Sequence, residues 1–313
     1  MVPAELPLCE SMSTSTDDTA SLDASFRAAV QAIDGGDIAT LERLIAARPA
    51  LVRERLTSPG AWLRDSVGGA LDGFFQRPYL LWFVAEDPVR NGTLPRNIAS
   101  VARTIIDAAR RERTPSLQEQ LDYALTLVSW SWIAAQHGVQ IELIDVLIDA
   151  GAVTAGNANN ALVNRHVAAA EHLVRRGAEL TLAAALCLGR WDDADRLVAS
   201  ANDEQKRFAL VLAALNGKAE ALRRLVRAGV DVDAPSADLY SHGTPLHHAV
   251  SSGRLEAVRA LVEAGATRTA KDSAWGGTPL GWAEYYLSEG QGNSADKQYT
   301  EIAAYLRAQD SSH

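Results

Sequence analysis

The sequence predicts an all-α protein in which short helix pairs stack into a solenoid. Three observations lead there. An aliphatic pair followed two or three residues later by a small residue recurs along the chain. Each copy closes an amphipathic helix that follows another apolar helix across a short polar turn. With 313 residues, 47% of them hydrophobic, the chain exceeds the size at which a single compact core stops growing, so it forms two globular domains or one repeat array.

The elements follow in chain order. Residues 1–20 are polar, rich in Ser, Thr and Asp from Glu10 to Thr19, and are expected to form a disordered tail. This start has no basic region or long apolar core of a signal peptide. The first pair is 26–33 and 38–45, joined by Asp34-Gly35-Gly36, and ends in Leu44-Ile45-Ala46-Ala47. Weaker copies of the signature follow at Ile105-Ile106, then clear ones at Leu147-Ile148-Asp149-Ala150-Gly151, Leu173-Val174-Arg175-Arg176-Gly177 and Leu197-Val198-Ala199-Ser200. The next pair is 208–215 and 219–226, closed by Leu225-Val226-Arg227-Ala228-Gly229. In the pair 246–250 and 255–262, Leu255, Val258, Leu261 and Val262 fall on one helical face. Tyr305-Leu306-Arg307-Ala308 closes the last copy. Glycine ends these helices because it tolerates the left-handed C-terminal cap. Neither helix of a pair buries its stripe alone; stacking neighbours buries both. Trp82, Phe83, Trp130 and Trp132 sit in apolar runs and are assigned to the core.

Two segments carry a more specific signature. The first is Gly243-Thr244-Pro245-Leu246-His247-His248-Ala249, then Gly253, then Leu261-Val262-Glu263-Ala264-Gly265-Ala266. The second is Gly276-Gly277-Thr278-Pro279-Leu280-Gly281-Trp282-Ala283. Together with Gly229-Val230-Asp231-Val232-Asp233-Ala234, this resembles the ankyrin repeat family, most closely over 208–283. Gly281 stands where the family pattern has His. The resemblance implies an ankyrin-type helical solenoid of about eight degenerate repeats with short β-turn fingers, and a role in binding a protein or peptide in the concave groove. Residues 21–150 are expected to be divergent repeats and 151–310 ankyrin repeats.

The departures from a repeat of roughly 33 residues carry information. Leu147, Leu173 and Leu197 are 26 and 24 residues apart, leaving little room for a finger. From Leu44 to Ile105 the interval is 61, the excess lying mainly in an insertion over 51–77. That insertion contains Trp62, Arg64, Asp65, Gly68-Gly69, Phe74 and Phe75, and long ordered insertions tend to be functional. Further loops are expected at 86–95 and 291–298.

Binding residues are sought among exposed aromatics, since Trp and Tyr dominate hot spots and are costly to leave bare on loops. The resemblance places Tyr240, His242 and Trp275 on or beside the fingers, and Tyr285 on the last inner helix or its turn. Trp62, Arg64, Asp65, Phe74 and Phe75 are the candidates in the insertion. Thr244 and His247 are assigned to bracing a helix start, as that pair does in ankyrin repeats. Asp192-Asp193 reads as the acidic first turn of a helix. Glu86-Asp87 borders the insertion and is less easily assigned to capping.

Chemistry is poorly signalled. No phosphate-binding loop, nucleophile elbow or dinucleotide fingerprint occurs, and the histidines lack metal-ligand spacing, so no cofactor, metal or catalytic residue is assigned. A net charge of −9 without a basic stripe excludes ordinary nucleic-acid binding. Arg110-Arg111, Arg175-Arg176 and Arg223-Arg224 read as solvated helix faces. No stretch is long and apolar enough for a membrane span. Cys9 and Cys187 build neither a disulfide framework nor a thiolate site, which with the lack of a leader points to the cytoplasm. Two functions are therefore carried forward. One is a module for a protein or peptide partner. The alternative is a small-molecule or catalytic pocket formed by the 51–77 insertion closing over the groove.

Overall fold

The inner helices of a stacked array touch neighbours on every side, so their sequences should be apolar all round, whereas outer helices need only a stripe. The computed structural model, which describes residues 13–85, 92–290 and 298–310, has this division. Cys9, Glu86-Asp87 and most of the 291–298 loop lie outside the described residues. The chain divides into two compact units, Met1–Thr154 and Ala155–His313. Among the described residues both are built of helices, and no strand occurs.

The first unit contains α1 (Ser13–Gly35), α2 (Ile38–Ala47), α3 (Ala50–Arg53), α4 (Ala61–Val67), 3-10 turns at Gly68–Asp72 and Leu80–Val84, α5 (Ile98–Arg111), α6 (Leu117–Trp130), α7 (Trp132–Gln136) and α8 (Gln140–Ala150). Its inner row is α1, the Leu80–Val84 turn and α6; its outer row is α2, α5 and α8. The inner member of the second pair has shrunk to that single 3-10 turn, and all five of its residues are buried. Helix α1 begins at Ser13, so residues 13–20, expected to belong to a disordered tail, are helical. The physical reason is cooperativity: Leu22, Phe26, Val30 and Ile33 anchor the helix, and extending an existing helix is far easier than starting one.

The second unit holds five pairs: α9 (Asn157–Val163) with α10 (Val167–Arg175), α11 (Leu182–Cys187) with α12 (Trp191–Ser200), α13 (Asp203–Leu215) with α14 (Ala219–Arg227), α15 (Pro245–Ser252) with α16 (Leu255–Glu263), and α17 (Pro279–Ser288) with α18 (Tyr299–Asp310). Helices α9, α11, α13, α15 and α17 pack in succession as the inner row. Every residue of α11 and every residue of α15 is buried. By contrast α14 buries only Ala221, Leu222 and Leu225, turning Arg223, Arg224 and Arg227 outward. Arg224 links two outer helices, 2.9 Å from Asp195 of α12 and with its guanidinium 4.7 Å from the centre of the Trp191 ring. Helix α8 ends on Gly151 with φ 109° and α15 on Gly253 with φ 69°, the left-handed caps expected of glycine. Asp192 and Asp193 occupy the first turn of α12. Cys187 is 2% exposed, and burial pushes its thiol up to about 12, so it is an inert core residue. No helix among the described residues is long and apolar enough to cross a membrane.

The aromatic assignments need one correction. Trp82 and Phe83 are core residues at 4% and 2% exposure, but Trp132 is 45% exposed. The helical run breaks at Ser131, whose hydroxyl caps α7, so Trp132 no longer continues the buried face of α6.

Candidate functional site

The linkers that lead from each outer helix to the next inner one form the fingers. Residues 228–244 and 264–278 are the long ones, and the inner helices after them begin at Thr244-Pro245 and Thr278-Pro279. Thr satisfies an orphan backbone N–H, and Pro at the first helical position forfeits no bond. Thr278 Oγ1 accepts from Gly281 N at 3.1 Å. At the other start, His247 replaces that arrangement with a longer bridge. Its Nδ1 lies 3.2 Å from Thr244 N and 2.9 Å from Thr244 Oγ1. A backbone N–H only donates, so Nδ1 must accept, which puts the proton on Nε2. Nε2 then donates to Gly277 O at 3.0 Å, on the next finger. His247 is wholly buried, and burial lowers its pKa, keeping this neutral tautomer. Replacing His247 by Ala is expected to lower stability by roughly 1–2 kcal/mol. Partner affinity, measured well below the melting point, should hardly change; a stable variant that no longer binds would reassign His247 to the binding surface.

The second finger is organised by Asp272, which no motif in the chain singles out. Its carboxylate accepts from Ala274 N (2.9 Å), Trp275 N (2.6 Å), Gly277 N (2.7 Å) and Trp282 Nε1 (3.0 Å). Burial alone would push this carboxyl up, but the bonds from Trp275, Trp282, Gly277 and Ala274 outweigh it and hold it at about 2. The carboxylate therefore fixes the backbone beneath Trp275. The two fingers are joined directly, Ser273 N donating to His242 O at 2.8 Å, and Thr267 donating to Asp233 through N (2.9 Å) and Oγ1 (2.6 Å).

On this frame Tyr240, His242 and Trp275 stand together. The His242 ring is 5.2 Å from Trp275 and 6.0 Å from Tyr240, edge to face in both cases, with Trp282 5.9 Å from Trp275. Trp275 is 75% exposed and Tyr240 45%. Tyr240 also adopts φ 45°, a left-handed conformation that bulky residues rarely take. Its carbonyl accepts from His248 Nε2 at 3.2 Å, and His248 is itself buried. Tyr285, on α17, is 59% exposed and faces Tyr286 at 5.8 Å rather than the finger rings. Among the described residues no three His, Cys, Asp or Glu are disposed to hold a metal ion.

The insertion residues lie in the other unit and have different surroundings. Trp62 donates from Nε1 to Asp23 at 2.8 Å and stacks on Phe83 at 6.5 Å. Phe75 is buried, 5.1 Å from Phe83, and Phe74 lies edge-on to Trp130 at 5.3 Å. Leu56, Leu63 and Val67 are buried beside them. The insertion is thus pinned onto its own unit, by Asp23 and by Arg55. That guanidinium donates to Arg77 O at 3.0 Å, pairs with Glu119, and lies 4.3 Å from the centre of the Tyr79 ring. Phe75 belongs to this packing, with no face left for a ligand. Arg64 and Asp65 remain exposed, and Arg64 borders a cavity of about 360 Å³ within the insertion that Asp72, Gln76 and Arg77 also line.

Residues 180–272 match the family described as ankyrin repeats (3 copies). Over 64 residues the chain is 42% identical to the potassium channel GORK of Arabidopsis thaliana, a stretch that is 20% of this chain and 7% of the channel. The chain therefore spans a small fraction of that relative. Among solved structures, the human ASB11 ankyrin repeat domain aligns at 16% identity with a TM-score of 0.32, over 66% of this chain and 94% of that one. Residues 180–272 are thus ankyrin repeats; the braced Thr244-Pro245 start lies within the matched stretch, and the Thr278-Pro279 start follows it directly.

Proposed function

We propose that this chain is a binding module for a protein or peptide partner, taken up in the groove between the inner helices and fingers of residues 155–313. One observation carries the reading: Trp275 is three-quarters exposed on a backbone held rigid by Asp272. A bare indole on a loop is unfavourable in water and is the residue type most enriched in binding hot spots. Because its backbone is already fixed, little ordering entropy opposes the contact. The left-handed backbone at Tyr240 supports the same reading, since strain of this kind collects at functional sites. Arg64, Asp65 and Tyr285 are kept as secondary contacts.

The test is the double substitution Trp275→Ala with Tyr240→Ala. The helical signal and melting temperature should stay nearly constant, because exposed finger side chains contribute little to the core. Affinity for the polypeptide that co-purifies with the native chain should fall by at least about 2 kcal/mol, roughly thirtyfold. An unchanged affinity would sink the reading. The cavity inside the insertion favours a second one, a small ligand held by Arg64 and Arg77. Native mass spectrometry separates the two, a retained metabolite supporting the cavity and a retained polypeptide the groove.

A further inference from the structure

We propose that the second unit carries a receptor for a cationic side chain, lysine or arginine, in a cleft where one finger of the row is missing. The inference rests on the partner-binding reading above and adds the chemistry of the ligand.

The cleft follows from linker lengths. Along the inner row the linkers are 176–181, 201–202, 228–244 and 264–278, so the step from α12 to α13 has only two residues where later steps have long fingers. Two residues suffice to reverse the chain but cannot project. The 228–244 finger leans over the gap, Ser236 Oγ and Ala237 N donating to Glu204 at 2.8 and 3.0 Å. Beneath it lies a cavity of about 480 Å³.

Its walls are acidic and polar. Glu179, Glu204 and Asp238 contribute carboxylates, one from each of three successive repeats, and no Lys, Arg or His lines the space. Glu204 is partly compensated by Arg207 at 2.9 Å. Glu179 and Asp238 are exposed and, among the described residues, form no salt bridge, so two negative charges face the opening uncompensated. Asn159 and Gln205 also line the space, their amide oxygens already accepting from Thr181 Oγ1 (2.8 Å) and Asn202 N (2.9 Å), while Phe208 supplies an apolar wall for a methylene stem. A carboxylate ligand would meet repulsion here, and a purely apolar one would strip water from polar walls without compensation. A long cationic side chain fits both halves of the lining. Asp238 is two residues from Tyr240 on the same finger, so a peptide docked on the rings passes the cleft within a few residues.

The test uses the full chain and three probes: N-acetyl-arginine methylamide, N-acetyl-lysine methylamide and the uncharged N-acetyl-norleucine methylamide. In amide NMR titrations the two cationic probes should give saturable shifts at Thr181, Gln205 and Asp238, and the norleucine probe none. Glu179→Gln with Asp238→Asn should leave the melting temperature unchanged and weaken the cationic probes about tenfold. Equal shifts from norleucine, no saturable shift, or unaltered affinity in the double variant would overturn the proposal. Trp275→Ala with Tyr240→Ala serves as the control, since it should leave probe binding intact. If the partner ignores the ring substitutions while the cationic probes still depend on Glu179 and Asp238, the ring reading fails and the cleft stands. The reverse pattern removes the cleft and leaves the ring surface.

Discussion

Asp272→Ala is expected to be among the most damaging single substitutions on the finger side of the second unit, lowering stability by about 3 kcal/mol. The carboxylate accepts four hydrogen bonds and is 3% exposed. Bonds to a charged acceptor contribute about 1.5–3 kcal/mol each when made singly. Their sum is not reached, because the freed N–H groups lie on a finger that water can enter once it loosens. Amide exchange at Ala274, Trp275 and Gly277 should speed up together, and the Trp282 indole should lose its partner at the same time. Asp272→Asn tests the charge separately, since it keeps the shape but replaces one acceptor oxygen by a donor. A melting curve for Asp272→Ala within about 0.5 kcal/mol of wild type would show that the finger holds itself without this residue.

Acidification between pH 6.5 and about 4 should destabilise the second unit, and His248 should account for most of the effect. Burial lowers its pKa from 6.5 to about 4, against a weaker opposing contribution from the bond to Tyr240 O. Between those values the unfolded chain binds a proton that the folded chain refuses. Stability from this group is therefore complete above pH 6.5 and declines as the pH falls toward 4. One imidazole contributes at most about 1.4 kcal/mol per pH unit, so the loss across the window is on the order of 3 kcal/mol. His247, lowered in the same direction, adds to the same limb, and the neighbouring His242 ring, 5.9 Å from His248, disfavours its charged form further. Asp272 titrates lower and does not contribute until the pH drops below its ordinary range. Denaturant midpoints at pH 7, 6, 5 and 4.5 provide the measurement. His248→Gln should be less stable at pH 7 yet show a much flatter acid limb; an identical slope would assign the acid sensitivity elsewhere.

Much of the architecture was legible from residue order because helix pairing is a local property. The stripe of Leu255, Val258, Leu261 and Val262, the turn at Gly253 and the Thr-Pro starts each depend on neighbours within a few residues. So does the bond from His247 back to Thr244, although its far end at Gly277 lies 30 residues away and had no sequence signal. The crowding of Leu173 and Leu197 foretold the short linker 176–181, whereas the two-residue linker at 201–202 follows Leu197 and had no such signal, because the longer α13 restores the spacing.

Other features were decided only when distant segments met. Nothing around Asp272 in the chain marks it as the acceptor of Trp282 Nε1, which arrives from the following helix. Trp132 resembled Trp130 in an apolar run, yet a helix break at Ser131 turned it to solvent. The insertion read as a candidate lid from its length and rings. Phe75 became core because Asp23 and Glu119, both distant in sequence, hold Gly60 and Arg55 and clamp the segment onto its own unit. Periodicity records which residues need burial, since that follows from their apolar surface and the helical repeat. Which surface buries them, and which carboxylate meets which N–H, depends on the register of stacked pairs, and only the tertiary structure sets that register.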